Sequence, residues 1–275
     1  MAQTLTKWQK FKRFLKRNMT PTWAAHFGYQ VVAFFIAIAM VAGVATYAFT
    51  KTYEEMELNL VEGFTLTAHS GAFNTVDNSL ENIQAVIDNK VQVCEFDLRL
   101  RPDGTIVLSH DLLVTSNDGV ELATAFEMLK GTGIYINLDI KETRVLTVLD
   151  ALVAQYDMYD WVFLTGIETY QTDDVKRYCP NISYYLNYIP HRLKIFTSDY
   201  QQKLIATLEE SGAVGINCNY KYAGGKLSEV LHNNGYKLSV WTVDKESTIK
   251  RMLIIEPDNI TTRKYAEIKN LINNW

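Results

Sequence analysis

From residue 64 onward the chain alternates short apolar runs with longer amphipathic segments. Runs rich in Val, Ile, Leu and aromatics at 64–69, 91–100, 133–141, 161–166, 182–189, 213–220, 237–243 and 259–262 predict strands. Between and after them, apolar residues recur at helical spacing in 79–89, 121–129, 143–155, 169–178, 199–211, 226–234, 245–253 and 265–273. Strands that alternate with helices imply parallel pairing through right-handed crossovers. Eight such units in a little over 200 residues satisfy a closed (β/α)8 TIM barrel. An open doubly wound sheet is the alternative, but no Gly-rich dinucleotide loop follows the first strand.

The segment ahead of this alternation has a different pattern. Residues 31–49 carry no charge and would span about 28 Å as a helix, close to the hydrocarbon thickness of a bilayer. Trp23 and Tyr29 flank one end, and Tyr47 and Tyr53 the other, as in an interfacial aromatic belt. This predicts one N-terminal transmembrane helix, an uncleaved signal anchor, preceding the barrel. A cleaved signal peptide and a buried soluble helix are the competing readings. Residues 4–17 place Trp8, Phe11, Phe14 and Leu15 among lysines and arginines. That pattern fits a short basic helix on anionic headgroups, or a floppy basic tail. The expected organisation is a basic cytoplasmic segment at 1–22, the anchor at 23–50, a short linker at 51–63 and the barrel at 64–275.

Charge sharpens this division. Six of the 27 Lys and Arg residues and none of the 31 acids fall in residues 1–50. The remainder then holds 21 basic and 31 acidic residues, a formal charge of about −10. A nucleic-acid partner is not expected of so acidic a domain. An anionic substrate is still compatible with it where a divalent cation lies between the two. The basic flank before the apolar run and Glu54, Glu55 and Glu57 after it orient the N-terminus to the cytoplasm, leaving the barrel extracytoplasmic. The three cysteines are scattered, without a CxxC, and read as buried thiols.

Candidate chemistry concentrates in 91–111. Alternation along the second strand puts Glu95, Asp97 and Arg99 on one face and Cys94, Phe96 and Leu98 on the other. Carboxylates two residues apart on a strand lie roughly 7 Å apart, within reach of one ion. Pro102, Asp103 and Gly104 form a turn, after which the chain returns to deliver His110 and Asp111. A surface hairpin with solvated acids is the plain alternative, but the apolar neighbours argue for burial, where an unpaired acid is costly. At the other strand ends stand His69, Asp139 with Lys141, and Trp241. In a barrel, these C-terminal ends form the functional face.

In their order, Ala-His-Ser-Gly at 68–71, Asp-Asn-Ser at 77–79, Glu-Phe-Asp at 95–97, Asp-Gly at 103–104, His-Asp at 110–111 and Leu-Asp-Ile-Lys at 138–141 resemble glycerophosphodiester phosphodiesterases. Residues 241–243 and 259–262 fit that family's last two strands more loosely. The resemblance implies a (β/α)8 barrel and a phosphoric diester hydrolase acting on a glycerophosphodiester or phospholipid-derived substrate. It also implies one divalent cation, Mg²⁺ or Ca²⁺, held by Glu95, Asp97 and Asp139. His69 and His110 would be general acid and base, in an order left open. Lys141 would neutralise the phosphate and Trp241 would pack on the apolar part of the substrate.

Three features depart from the family pattern. Ser70 stands where the family has Arg, and Asp77 and Asp139 are each one methylene shorter than the family's Glu. The connection from His110 to Asp139 is short. This connection and the Asp-x-Lys form also resemble the phospholipase D lyases of spider venoms, which leave a cyclic phosphate. The remaining alternatives are a barrel that binds phosphate-rich polymers or a protein partner without turnover, motivated by Ser70, and an unrelated barrel with a structural polar plug.

Overall fold

The structure, a computed structural model, describes residues 6–18, 20–112, 115 and 118–275, in two units, 1–55 and 56–275. Residues 1–5 of the basic segment lie outside the described residues.

In the first unit, helix α1 (Lys7–Asn18) opens on a reciprocal cap. The Thr6 amide donates to the Gln9 side chain at 3.0 Å, and the Gln9 amide to the Thr6 hydroxyl at 3.3 Å. Helix α2 (Pro21–Glu55) begins with proline, which suits a first helical turn because the missing N–H has no partner there in any case. It continues past residue 50 into the segment read from sequence as linker. Its stretch Pro21–Ala48 is long and apolar enough to cross a membrane, and none of its most apolar window is buried by the chain. A helix apolar on all sides and uncovered by protein is a candidate membrane span.

In the second unit, eight strands close a parallel barrel: β1 (Thr65–Ala68), β2 (Val93–Leu100), β5 (Tyr135–Ile140), β6 (Val162–Ile167), β7 (Tyr184–Asn187), β8 (Gly215–Asn219), β9 (Lys237–Trp241) and β10 (Asn259–Thr262). Pairing of β1 with both β10 and β2 closes the ring. Between β2 and β5, β3 (Ile106–Leu108) and β4 (Val120–Glu121) form an antiparallel extension, with β3 on the end of β2. Helices α3 (Leu80–Asp88), α4 (Leu122–Leu129), α5 (Leu146–Tyr156), α6 (Thr172–Tyr178), α7 (Ser198–Ser211), α8 (Gly225–His232), α9 (Glu246–Ile254) and α10 (Tyr265–Asn273) alternate with the staves. The predicted alternation thus holds stave by stave. The helices expected from 143 and 169 start instead as 3₁₀ turns, Thr143–Val145 and Thr169–Gln171.

Strand alternation sorts the barrel's side chains. Cys94, Phe96, Leu98, Ile136, Leu138, Leu164, Ile216, Leu238 and Ile260 take one parity and form the buried apolar layer. The opposite parity is unusually polar: Thr67, Glu95, Asn137, Thr165, Asn217, Ser239, Asn259 and Thr261 are all buried. Most of these groups persist in the core by satisfying one another. Asn259 Oδ1 accepts from the hydroxyls of Thr65 at 2.9 Å and Thr67 at 2.7 Å, and its amide donates to Ser239 at 3.0 Å. The polar lumen leads directly to the C-terminal mouth.

Candidate active site

Register places the acids side by side. Asp97 pairs laterally with Asp139, and Asp139 with Thr165; one step below, Glu95 is level with Asn137. Glu95, Asp97 and Asp139 each offer a carboxylate oxygen, and these lie within 4.8 Å of one another. Glu95 and Asp97 are only 4% and 3% exposed.

Fixed bonds orient all three. The Ser70 amide donates to Glu95 Oε2 at 2.9 Å. Asn78 bonds Asp97 twice: its side-chain amide donates to Oδ2 at 2.8 Å, and its Oδ1 accepts from the Asp97 amide at 3.0 Å. The Thr165 hydroxyl lies 2.9 Å from Asp139 Oδ1. The Lys141 ammonium bridges Asp97 Oδ1 at 2.8 Å and Asp139 Oδ2 at 2.5 Å.

Electrostatics follow from this packing. Burial pushes the Glu95 carboxyl up to about 7; His69 opposes that rise, while Asp97 and Asp139 add to it. Burial also disfavours the Asp97 charge, but Lys141 and Asn78 outweigh it and hold the carboxyl below its ordinary range. Burial would lower the Lys141 ammonium, yet Asp139 and Asp97 push it up.

With all groups ionised, three carboxylates and one ammonium leave a formal charge of about −2, which a divalent cation would balance. The donors are all oxygen, the chemistry of a hard cation such as Mg²⁺ or Ca²⁺. The residues therefore fit the implied ion.

Both histidines line the same cavity of about 250 Å³, together with the three carboxylates, Lys141 and Trp241. His69 Nδ1 lies 2.8 Å from the Ser70 carbonyl, which can only accept. The proton of a neutral ring thus sits on Nδ1, leaving Nε2 with a lone pair. His110 follows β3, its backbone carbonyl held by Arg99 Nε at 2.9 Å and its Nδ1 3.0 Å from Asp111 Oδ1. Its side chain is 68% exposed, so it stands at the rim while His69 sits deeper.

Two glycines make this geometry possible. Gly71 has φ +78°, and a Cβ there would fall 1.9 Å from Asp77 Oδ1. Gly166 has φ +75°, and a Cβ there would meet Asp139 Oδ1 at 2.7 Å and the Ile140 carbonyl at 2.5 Å. Phe73, Asn74 and Asn78 also have positive φ, so the loop after β1 stores backbone strain next to the carboxylates.

The structure brings all seven residues singled out from sequence to one mouth. It adds Asn137, Thr165, Asn187, Asn217 and Arg263 to the cavity wall, beside Asp77 of the 77–79 motif. Asn78 had a visible signal, lying inside the Asp-Asn-Ser motif. Arg263 had one too, standing two residues beyond Thr261 and so on the inward parity. The asparagines of β7 and β8 had none. A groove of about 750 Å³ joins the mouth through Asn187, Asn217 and Trp241, with Tyr170, Tyr188, Ile189 and Tyr222 among its walls.

No model of a known protein family matches the sequence. A curated glycerophosphodiester phosphodiesterase of Caldanaerobacter subterraneus subsp. tengcongensis is 22% identical over 242 residues, covering 74% of this chain and 96% of that protein. A glycerophosphodiester phosphodiesterase from Parabacteroides distasonis superposes with a TM-score of 0.65 at 18% identity, covering 77% of this chain and 98% of that one. An Oleispira antarctica phosphodiesterase, solved with its product sn-glycerol-3-phosphate, gives 0.62 at 18% identity, covering 76% and 96%. Motif order, a curated relative spanning the barrel and the solved folds agree: this chain resembles the glycerophosphodiester phosphodiesterases.

Proposed function

We propose that the protein is a metal-dependent phosphodiesterase that hydrolyses glycerophosphodiesters or related glycerol-phosphate lipids and polymers. One observation carries this reading. Three carboxylates from adjacent staves converge within 4.8 Å, in the same cavity as two imidazoles and an ammonium.

Glu95, Asp97 and Asp139 would hold one divalent cation, Mg²⁺ or Ca²⁺. When bound, it would supply a Lewis acid against the phosphate charge. His69 presents Nε2 as a proton acceptor, because the Ser70 carbonyl fixes the proton on Nδ1. His110, at the rim, exchanges a proton with the oxygen on the other side of phosphorus. Together the two imidazoles take a proton from the attacking oxygen and return one to the leaving alcohol. A free hydroxyl of the substrate's own glycerol is a fitting nucleophile, since it is already held beside the phosphate; its attack expels the alcohol and leaves a cyclic phosphate, which water then opens to the phosphomonoester. Lys141 adds positive charge beside the two aspartates, and Trp241, half exposed between mouth and groove, packs on the alcohol.

The apolar stretch Pro21–Ala48 anchors the enzyme in this reading, with the basic residues of α1 on the cytoplasmic side and the barrel at the outer membrane face.

³¹P NMR of the full-length chain in detergent tests the proposal, using glycerophosphodiesters with Mg²⁺, with Ca²⁺ and with excess chelator. The expected result is metal-dependent conversion to a phosphomonoester, abolished by chelation. No conversion above a His69→Ala control with either ion would overturn it. The same spectra separate a cyclic product, favoured by the Asp-x-Lys form at 139–141, from a linear one.

A further inference from the structure

We propose that Arg263, at the end of β10, is the guanidinium that grips the substrate's phosphate, replacing the arginine missing at position 70. The inference rests on the phosphodiester reading and goes beyond it by assigning a binding residue to another stave.

Ser70 cannot do this work. It is fully buried, and its hydroxyl accepts from the Asn78 amide at 2.7 Å, so it pins the loop instead of facing the cavity. Lys141 is the other cationic chain in the cavity wall besides the histidines, and it is engaged by both aspartates. A phosphate entering this acidic mouth needs a further positive group with donors to spare.

Arg263 meets that need by position. β10 and β1 are neighbours, and the His69 amide donates to the Thr262 carbonyl at 2.9 Å. Residue 263 therefore follows β10 directly beside His69. It is the arginine that lines the cavity among the described residues. Its guanidinium has two long ion pairs, to Asp77 at 3.6 Å and Asp244 at 3.8 Å, both beyond ordinary hydrogen-bond length. Among the described residues the guanidinium makes no closer polar contact, while the Arg263 backbone amide donates to Asp244 Oδ1 at 2.8 Å. The carboxylates aim the group without saturating its five N–H donors. By contrast Arg101 is spent on Asp118, Gly119 and Glu121, and Arg144 on Glu142. A planar fork that is always charged suits two phosphate oxygens, and lysine does not reproduce it.

The test uses the full-length chain in detergent with Mg²⁺ and compares wild type, Arg263→Gln, Arg263→Lys and Arg263→Ala. Calorimetric titration with sn-glycerol 3-phosphate should show about a tenfold to hundredfold loss of affinity in R263Q, the scale of a lost charge-assisted pair. R263K should recover part of it. Added guanidinium ion should partly rescue turnover by R263A and leave wild type unchanged. Thermal melting and Mg²⁺ affinity should stay close to wild type in all variants, which separates loss of a ligand contact from loss of fold. Equal affinity of wild type and R263Q for sn-glycerol 3-phosphate, or no binding by either, overturns the proposal. Turnover by wild type with R263Q unimpaired removes Arg263 and leaves the hydrolase. Arg263-dependent binding without diester turnover does the reverse.

Discussion

The two halves of the barrel mouth are built differently. On the side of β1, β2 and β5, the carboxylates and the lysine are tied in place. Glu95, Asp97, Asp139 and Lys141 are held by backbone amides, Asn78, Thr165 and one another. On the side of β6 to β9 the wall is looser and partly apolar. Tyr170 and Ile189 are 74% and 70% exposed, and among the described residues the buried Asn217 side-chain oxygen has no hydrogen-bond partner. Preorganised charge suits the part of a reaction that never changes, which on the proposed function is the phosphate and its cation. An adaptable, half-apolar groove suits the part that varies, the alcohol. On the proposed function, chemistry would fall to the first half and choice of substrate to the second.

The largest effect should come from the imidazoles. His69→Ala and His110→Ala should each lower kcat by about 10²–10⁴-fold, with Mg²⁺ affinity nearly unchanged, as read by steady-state assay and metal titration. A His110 variant with near wild-type kcat would mean that the exposed rim contributes no proton. Next come the groups that orient the acids. Asn78→Ala removes both bonds to Asp97 and Thr165→Val removes the hydroxyl beside Asp139. Each should weaken metal binding by about 10–100-fold, measured by calorimetry. Gly166→Ala should fall in the same class and also lower the melting temperature, because its methyl group would collide with Asp139 and the Ile140 carbonyl.

The smallest effect belongs to the groove. Ile189→Ser and Tyr170→Ser should raise KM for diesters with a long apolar alcohol by about fivefold, roughly 1 kcal/mol, and leave glycerophosphocholine unaffected. An equal change for both substrates would erase the division between the two halves.

The staves and their helices were legible because alternation of apolar runs with amphipathic segments is a local property. The acids and His69 were legible for a related reason: parity along a strand fixes which side chains share a face. His110 needed the turn at Pro102–Gly104 as well, and β3 returns antiparallel to β2 as that turn demands. What the sequence did not disclose depends on contacts between neighbouring staves and at strand ends. Asn187 meets Asn217 thirty residues away, a pairing that no spacing rule announces. Arg263 lies just past the last residue of its strand, where parity still applies but the β pattern has ended. The two-residue strand β4 is too short to leave a periodic trace. The C-terminal limit of α2 was also hidden, since charged residues after 50 interrupt the apolar run without interrupting the helix.

The loop after β1 has a consequence for how fast the centre can work. Ser70 and Asn78, close in sequence and joined by their own hydrogen bond, each hold a different carboxylate. Two oxygen donors are therefore aimed by contacts internal to the chain. Cation uptake should then be limited by stripping water from the incoming ion, with no slow ordering phase in stopped-flow traces, and exchange of one alkaline-earth ion for another should follow their hydration rates.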